Sequence, residues 1–245
     1  TAILDIGGGS IQISLFEKDT LVATQNMRLG VMRLRERLEA LSPKSNQYEK
    51  FIDEMVNDQF SLFKKFYLKD REITNLLVID DYLSPVLQKK EIAKTPGKIE
   101  RKRFMEFMDS INGKNRGDIS RALEVSEEHA SLLFHSGVLT KRIMEVLGAQ
   151  HIWAPEVCLC DGIVYEYAQQ HKLLKHVHDF EKDILACAKN ISKRYMGSRK
   201  RGETLENIAL TIFDSIKKLH GLGNRERLYL RIASLLHDCG KYISM

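Results

Sequence analysis

Three consecutive glycines, Gly7-Gly8-Gly9, stand between two stretches of strand character near the start of the chain. No other feature constrains the fold as much. Ahead of them, residues 2–6 are short, mostly apolar and stop at glycine, as a buried strand does. Behind them, Ile11, Ile13 and Leu15 alternate with Gln12, Ser14 and Phe16, the two-residue period of a strand. Lys18-Asp19 marks a turn, and residues 21–29 read as a third strand. The pattern predicts a three-strand antiparallel meander with the glycines at its first corner.

Helical spacing follows. Leu34, Leu38 and Leu41 mark one helix, and Phe51, Ile52, Met55, Val56, Phe60, Phe63 and Phe66 a longer one. Residues 75–79, Asn-Leu-Leu-Val-Ile, predict a buried strand. Residues 89–103 are charged and irregular, with Pro96-Gly97 as a break, and short helices fill 100–121. Ser126 is the expected N-cap of a helix to Leu147, with Glu127 and Glu128 in its first turn and Gly148 as its stop. A strand at 151–154 and a helix at 162–170 complete an α/β domain. Beyond about Lys172 the period is helical throughout. Leu205, Ile208, Ile212, Phe213, Ile216 and Leu219 recur every three to four residues up to Gly221, and another helix spans about 226–237. The domains are therefore read as 1–171, α/β, and 172–245, all-α. The chain opens inside a strand pattern without an initiator Met, so it is read as the later part of a longer protein.

The net charge is +5 over 245 residues, a balance that suits an anionic ligand. No apolar run approaches bilayer length, and no leader pattern precedes the first strand, so the expected location is the cytoplasm and no membrane partner is expected. The four cysteines form no regular framework. Cys158 and Cys160 lack a second Cys/His pair and are read as two buried thiols. Trp153 is read as core filling. His129 and His135 do not share a helix face and carry no predicted role.

The glycine corner carries the chemistry. Residues without side chains let a backbone turn sharply and let a ligand approach it closely. Consecutive N–H groups in such a turn form a nest for one anion. Ser10 adds a hydroxyl donor, and Asp5, at the strand end, is of the type that holds Mg²⁺ or Ca²⁺. Asp5, Gly7, Gly8, Gly9 and Ser10 thus compose a candidate phosphate–metal cradle. On these residues alone, a glycine-rich hairpin that binds nothing is equally open.

The stretch LDIGGGSIQISLFEKDTLVATQNMRLGVMRL resembles the Ppx/GppA family of exopolyphosphatases and guanosine pentaphosphatases, in the actin-like ATPase superfamily. Asp5 to Ser10 matches that family's second phosphate motif, and Gly30, Arg33 and Leu34 its GxxRL helix entry. The segment VLTKRIMEVLGAQHIWAPEVCLCDGIVYEYA is similar to its closing helix, strand and turn. The tail, LTIFDSIKKLHGL with RIASLLHDCGKYI, is similar to the HD-like helical domain of its long members. The resemblance implies a ribonuclease-H-like α/β domain, the second of two, followed by a truncated HD-like domain. It implies water attack on terminal phosphoanhydride bonds of polyphosphate or guanosine pentaphosphate, with Mg²⁺ or another divalent cation. By that resemblance Gly7, Gly8, Gly9 and Ser10 serve the phosphate and Asp5 the metal. The general base belongs to a preceding domain, so this chain alone is expected to be inactive. The implied partners are polyphosphate or guanosine penta- or tetraphosphate, that preceding domain, and a second copy in a homodimer.

Two departures qualify the resemblance. Where the family has a second glycine-rich turn, this chain reads Asp80-Asp81-Tyr82-Leu83-Ser84-Pro85. Two carboxylates repel phosphate, so either they bind a cation or this half of the cradle is lost. Cys160 replaces an arginine of the closing turn. The alternative function is therefore a weakened sensor that binds guanosine tetraphosphate or pentaphosphate without hydrolysis. In the tail, His237 and Asp238 are adjacent candidate metal ligands, but the position expected for an earlier histidine falls at about Arg201. The run Lys193-Arg194 with Arg199-Lys200-Arg201 is read as a solvated loop, with contact to a polyanion as the functional alternative.

Overall fold

The computed structural model describes residues 1–41, 48–68, 71–89, 97–175 and 178–242. Pro96 of the expected break lies outside them. Six strands, β1 (Ala2–Ile6), β2 (Ile11–Glu17), β3 (Thr20–Met27), β4 (Asn75–Asp80), β5 (Lys98–Glu100) and β6 (His151–Trp153), make one sheet in the order β3-β2-β1-β4-β6-β5. β1 is antiparallel to β2 and parallel to β4. β4 is parallel to β6, and β5 antiparallel to β6. The glycine corner therefore lies at the carboxyl end of a central strand, where open α/β sheets place their ligands. β5 was not expected from residues 89–103. A three-residue strand with one buried side chain, Ile99, leaves no period to read; its pairing with β6 makes it a strand.

The helices of this unit are α1 (Val31–Leu41), α2 (Tyr48–Phe63), α3 (Ser84–Leu87), α4 (Arg101–Ile111), α5 (Arg116–Leu123), α6 (Glu127–Leu147) and α7 (Leu159–Gln170). α2 runs on into one π-helical turn at Lys64–Leu68. The caps of α6 are those expected. Ser126 accepts from the His129 amide, and Gly148 takes the left-handed conformation at φ 72°. Leu4, Leu76, Val78 and Ile152 of the sheet bury fully with Phe60, Phe63, Phe104 and Leu133 of the helices. Each such side chain stabilises the fold by roughly 2 kcal/mol.

Two expectations fail in this unit, each because local pattern says nothing about what covers a face. Trp153 is 36% exposed; its indole N–H donates to Asn75 and Lys98 lies over its ring. Cys158 and Cys160 are exposed thiols. α7, which begins three residues earlier than expected, buries none of its side chains, and Leu159, Ile163, Val164 and Tyr167 are all largely exposed.

The tail is helical, with α8 (Phe180–Arg194), α9 (Arg199–Ser215), α10 (Lys217–His220) and α11 (Asn224–Leu236). Leu185, Ala188 and Leu235 form its small core, covered by Leu228, Ile232 and Leu236. The chain divides into two compact units, Thr1–Leu15 with Gln25–Lys175, and Phe16–Thr24 with His176–Met245. The tip of the β2–β3 hairpin thus groups with the tail, beyond the simple boundary at residue 171. Lys18 and Asp19, both at positive φ, make the two-residue turn. The tip's backbone groups need partners, and α8 supplies them. The Leu21 amide donates to Asp183 at 2.8 Å, and Asn190 donates to the Val22 carbonyl at 2.6 Å. Asp183 is buried and also holds His178. Asp183→Ala is expected to destabilise the tail unit by about 2 kcal/mol, since a half-buried amide loses its charged acceptor. Hydrogen exchange at the Leu21 amide reads this directly: it should accelerate severalfold, and unchanged exchange would show that Asp183 does not hold the tip.

Candidate functional site

The glycine corner is built by α1. The carbonyl of Gly7 accepts from the Val31 amide at 3.1 Å, and that of Gly8 from Met32 at 2.9 Å and Arg33 at 3.2 Å. The Arg33 guanidinium donates to the Gly9 carbonyl at 3.0 Å. The first-turn amides of α1, which have no partner inside their own helix, are thus satisfied by the Gly7 and Gly8 carbonyls, and the Gly9 carbonyl takes a side-chain donor of the same helix. In a planar trans peptide the N–H points opposite to the preceding C=O. The amides of Gly8, Gly9 and Ser10 therefore face away from α1, and they donate to no acceptor among the described residues. Gly7 differs from the expectation, because its amide closes the hairpin turn onto the Ser10 carbonyl at 3.0 Å. Ser10 Oγ accepts from Asn26, which leaves its proton free to donate. The open amides are those of Gly8, Gly9 and Ser10, with the exposed Arg33 beside them.

None of the three glycines needs a left-handed backbone; what they need is room. A Cβ on Gly8 would lie 3.1 Å from Met32 Cγ. The tightest point is Gly30, where a Cβ would sit 2.3 Å from backbone atoms of both Gly8 and Gly9. In the sequence Gly30 marks only the helix entry, yet it is what lets α1 reach the loop.

The neighbouring loop after β4 is closed. Asp80 is in register with Ile6 and shares the buried face with Leu76 and Val78. Its Oδ1 accepts from the Tyr82 and Leu83 amides, at 2.6 and 2.5 Å, and its Oδ2 from Ser136 Oγ. Two backbone donors of this loop are spent on an internal carboxylate, and with both oxygens taken Asp80 does not fit a cation site. The alternation Leu76, Val78, Asp80 was the signal in the sequence that would have placed this carboxylate inward. Burial, above all, pushes its pKa up, while its hydrogen bonds work the other way. Asp81 is exposed instead. Asp5, also exposed, has its pKa raised by partial burial and then by the charge of Asp81.

The sequence model of the Ppx/GppA phosphatase family matches residues 1–171. The chain belongs to that family. Solved Ppx/GppA proteins share its fold. An Aquifex aeolicus family member superposes with a TM-score of 0.58 at 11% identity, over 72% of this chain and 57% of its own. An exopolyphosphatase from Cytophaga hutchinsonii gives 0.59 at 16% identity, over 69% and 57%. An exopolyphosphatase-like protein gives 0.57 at 14% identity, over 71% and 60%. The chain thus spans well under two thirds of the length of these relatives. No curated protein sequence matches it.

Outside the part matched to the Ppx/GppA family, His237 and Asp238 lie where α11 ends. Asp238 is held by Lys241 at 2.5 Å, His237 at 3.0 Å and Arg201 at 3.8 Å. The Lys241 hydrogen bond, then the charges around it, keep its carboxyl below the usual range. Arg201, at the position expected for a further ligand, brings a cation to the carboxylate in place of one. Among the described residues no group of three or more His, Cys, Asp or Glu is arranged to hold a metal. The basic run is not a loop: Lys193 and Arg194 end α8, and Arg199, Lys200 and Arg201 begin α9. Among the described residues no helix is long and apolar enough to cross a membrane.

Proposed function

We propose that this chain supplies the phosphoryl-binding half of a phosphohydrolase site acting on terminal phosphoanhydride bonds of polyphosphate or guanosine pentaphosphate. One observation carries the reading: the glycine carbonyls are all spent on α1, which leaves the Gly8, Gly9 and Ser10 amides open in a row. Such a row suits the oxygens of one terminal phosphoryl group. Ser10 Oγ adds a donor and Arg33 a positive charge. Asp5, with Asp81 beside it, would hold a divalent cation, because two neighbouring carboxylates are the donor set such an ion relieves. When bound, that ion neutralises phosphoryl oxygen charge. The amides orient the phosphoryl group for attack by water, and no residue of this chain is assigned as the base. By the family resemblance the base comes from a preceding domain, to which the uncovered apolar side of α7 offers a surface.

Titration of the ¹⁵N-labelled chain with tripolyphosphate tests the corner itself. The amide signals of Gly8, Gly9 and Ser10 should move, and Gly9→Asp should weaken their response about tenfold or more, by setting a like charge against the ligand. Loop signals that stay still at saturating ligand would sink the reading. Asp80 favours one second reading, a nucleotide sensor, because it takes the Tyr82 and Leu83 amides of the β4 loop. Phosphate release by the chain joined to its preceding domain separates hydrolysis from binding without turnover.

A further inference from the structure

We propose that the helical tail carries a binding site of its own, for a phosphorylated small molecule with an apolar body, of about nucleoside diphosphate size. A cavity of about 600 Å³ opens between the C-terminal half of α8, the turn at 195–198, the first turn of α9 and Leu235 of α11. That volume suits a mononucleotide rather than a lone phosphate. Lys189 and Lys193 line it from one face of α8, a turn apart, and Arg199 from α9. The one carboxylate in its lining, Glu203, is held by Arg199 at 2.9 Å. Positive charge is therefore in excess at the mouth, where it draws an anion.

The wall beside these cations is apolar, made by Leu235 and Met196. Met196 is unusual. α8 ends with the Gly197 amide on the Ser192 carbonyl at 2.8 Å, which puts Met196 at the left-handed position that normally takes glycine. Its φ is 58°, and its side chain is 83% exposed. Glycine stands one residue later, at 197, where a Cβ would meet Ser192 Oγ at 2.4 Å. A strained residue that exposes a flexible thioether beside a cationic hollow is a poor choice for stability and a good one for packing on a ligand. Charge at the mouth and a soft apolar wall together select a phosphate-bearing molecule with a body to bury. An extended polyanion would use the cations and leave the wall idle.

The 245-residue chain is titrated by calorimetry with guanosine diphosphate, guanosine and tripolyphosphate. Gly9→Asp serves as the background that disables the glycine corner, so failure here is distinguishable from failure there. Guanosine diphosphate is expected to bind one-to-one in that background, at least tenfold tighter than either of the other probes. Lys193→Gln with Arg199→Gln should weaken it tenfold or more. Met196→Gly should raise the melting temperature yet weaken binding about threefold. The proposal is overturned if guanosine diphosphate does not bind below about 1 mM, if Gly9→Asp abolishes its binding, or if tripolyphosphate binds as tightly. It is equally overturned if either tail variant leaves the affinity unchanged.

Discussion

Gly30→Ala is expected to lower the stability of the chain by about 3 kcal/mol, the upper end of overpacking costs. The added carbon would lie 2.3 Å from the Gly8 carbonyl carbon and oxygen and from the Gly9 carbonyl carbon. Those are backbone atoms, and they cannot rotate aside as a side chain would. The loop and the start of α1 must part, which breaks the bonds from the Val31, Met32 and Arg33 amides. A thermal melt should drop by roughly 6–12 °C, and the Gly8 and Gly9 amide signals should shift without any ligand. Gly162→Ala is the control. Nothing lies within 4 Å of a Cβ there, so in α7 it should be neutral or stabilise by about 0.5–1 kcal/mol. Equal melts for the two variants would show that α1 does not need this close approach.

Asp80→Ala should cost about as much, roughly 3 kcal/mol, for a different reason: it strips the Tyr82 and Leu83 amides and the Ser136 hydroxyl of a charged acceptor in a buried place. Asp80→Asn keeps the shape and one acceptor oxygen, and should cost about 1 kcal/mol. The pH dependence separates charge from shape. Burial raises the Asp80 pKa above its unfolded value of 3.8, so the folded state holds the proton more tightly than the unfolded one. The stability this contributes is present below that unfolded value and is lost as pH rises through the window above it. Wild type should therefore lose ground to Asp80→Asn as pH rises from the unfolded pKa through the raised one, in urea unfolding compared across acid to neutral pH. A difference that moves the other way would mean that the hydrogen bonds outweigh burial.

Asp80 also shows how far the sequence could be read. Asp80-Asp81 at the end of β4 departs from a phosphate-binding turn, and residue type alone leaves two outcomes open, a cation site or a lost half of the cradle. Strand parity already contained the answer, since Asp80 follows Leu76 and Val78 on the inward face while Asp81 leaves the strand. The glycine corner could be singled out in the sequence as a candidate site, but not which of its amides stand open. Gly7, counted among the donors, closes the turn instead, and Arg33 joins the site from the next helix. In the tail, the mismatch at Arg201 was visible, whereas its reach to Asp238 was not.

By itself the sequence determined the strands flanking the glycines, the helix from Glu127 with its Ser126 and Gly148 ends, and the change to helical period in the tail. These follow from spacing along the chain and from caps within a few residues, which need no distant partner. Only the tertiary structure decided which way the glycine peptides face, that Asp80 takes up two amides of its own loop, that α7, Trp153, Cys158 and Cys160 lie uncovered, and that the hairpin tip belongs with the tail. Each of these depends on which group from elsewhere in the chain arrives to satisfy a hydrogen bond or cover an apolar face. Local periodicity carries no information about that arrival.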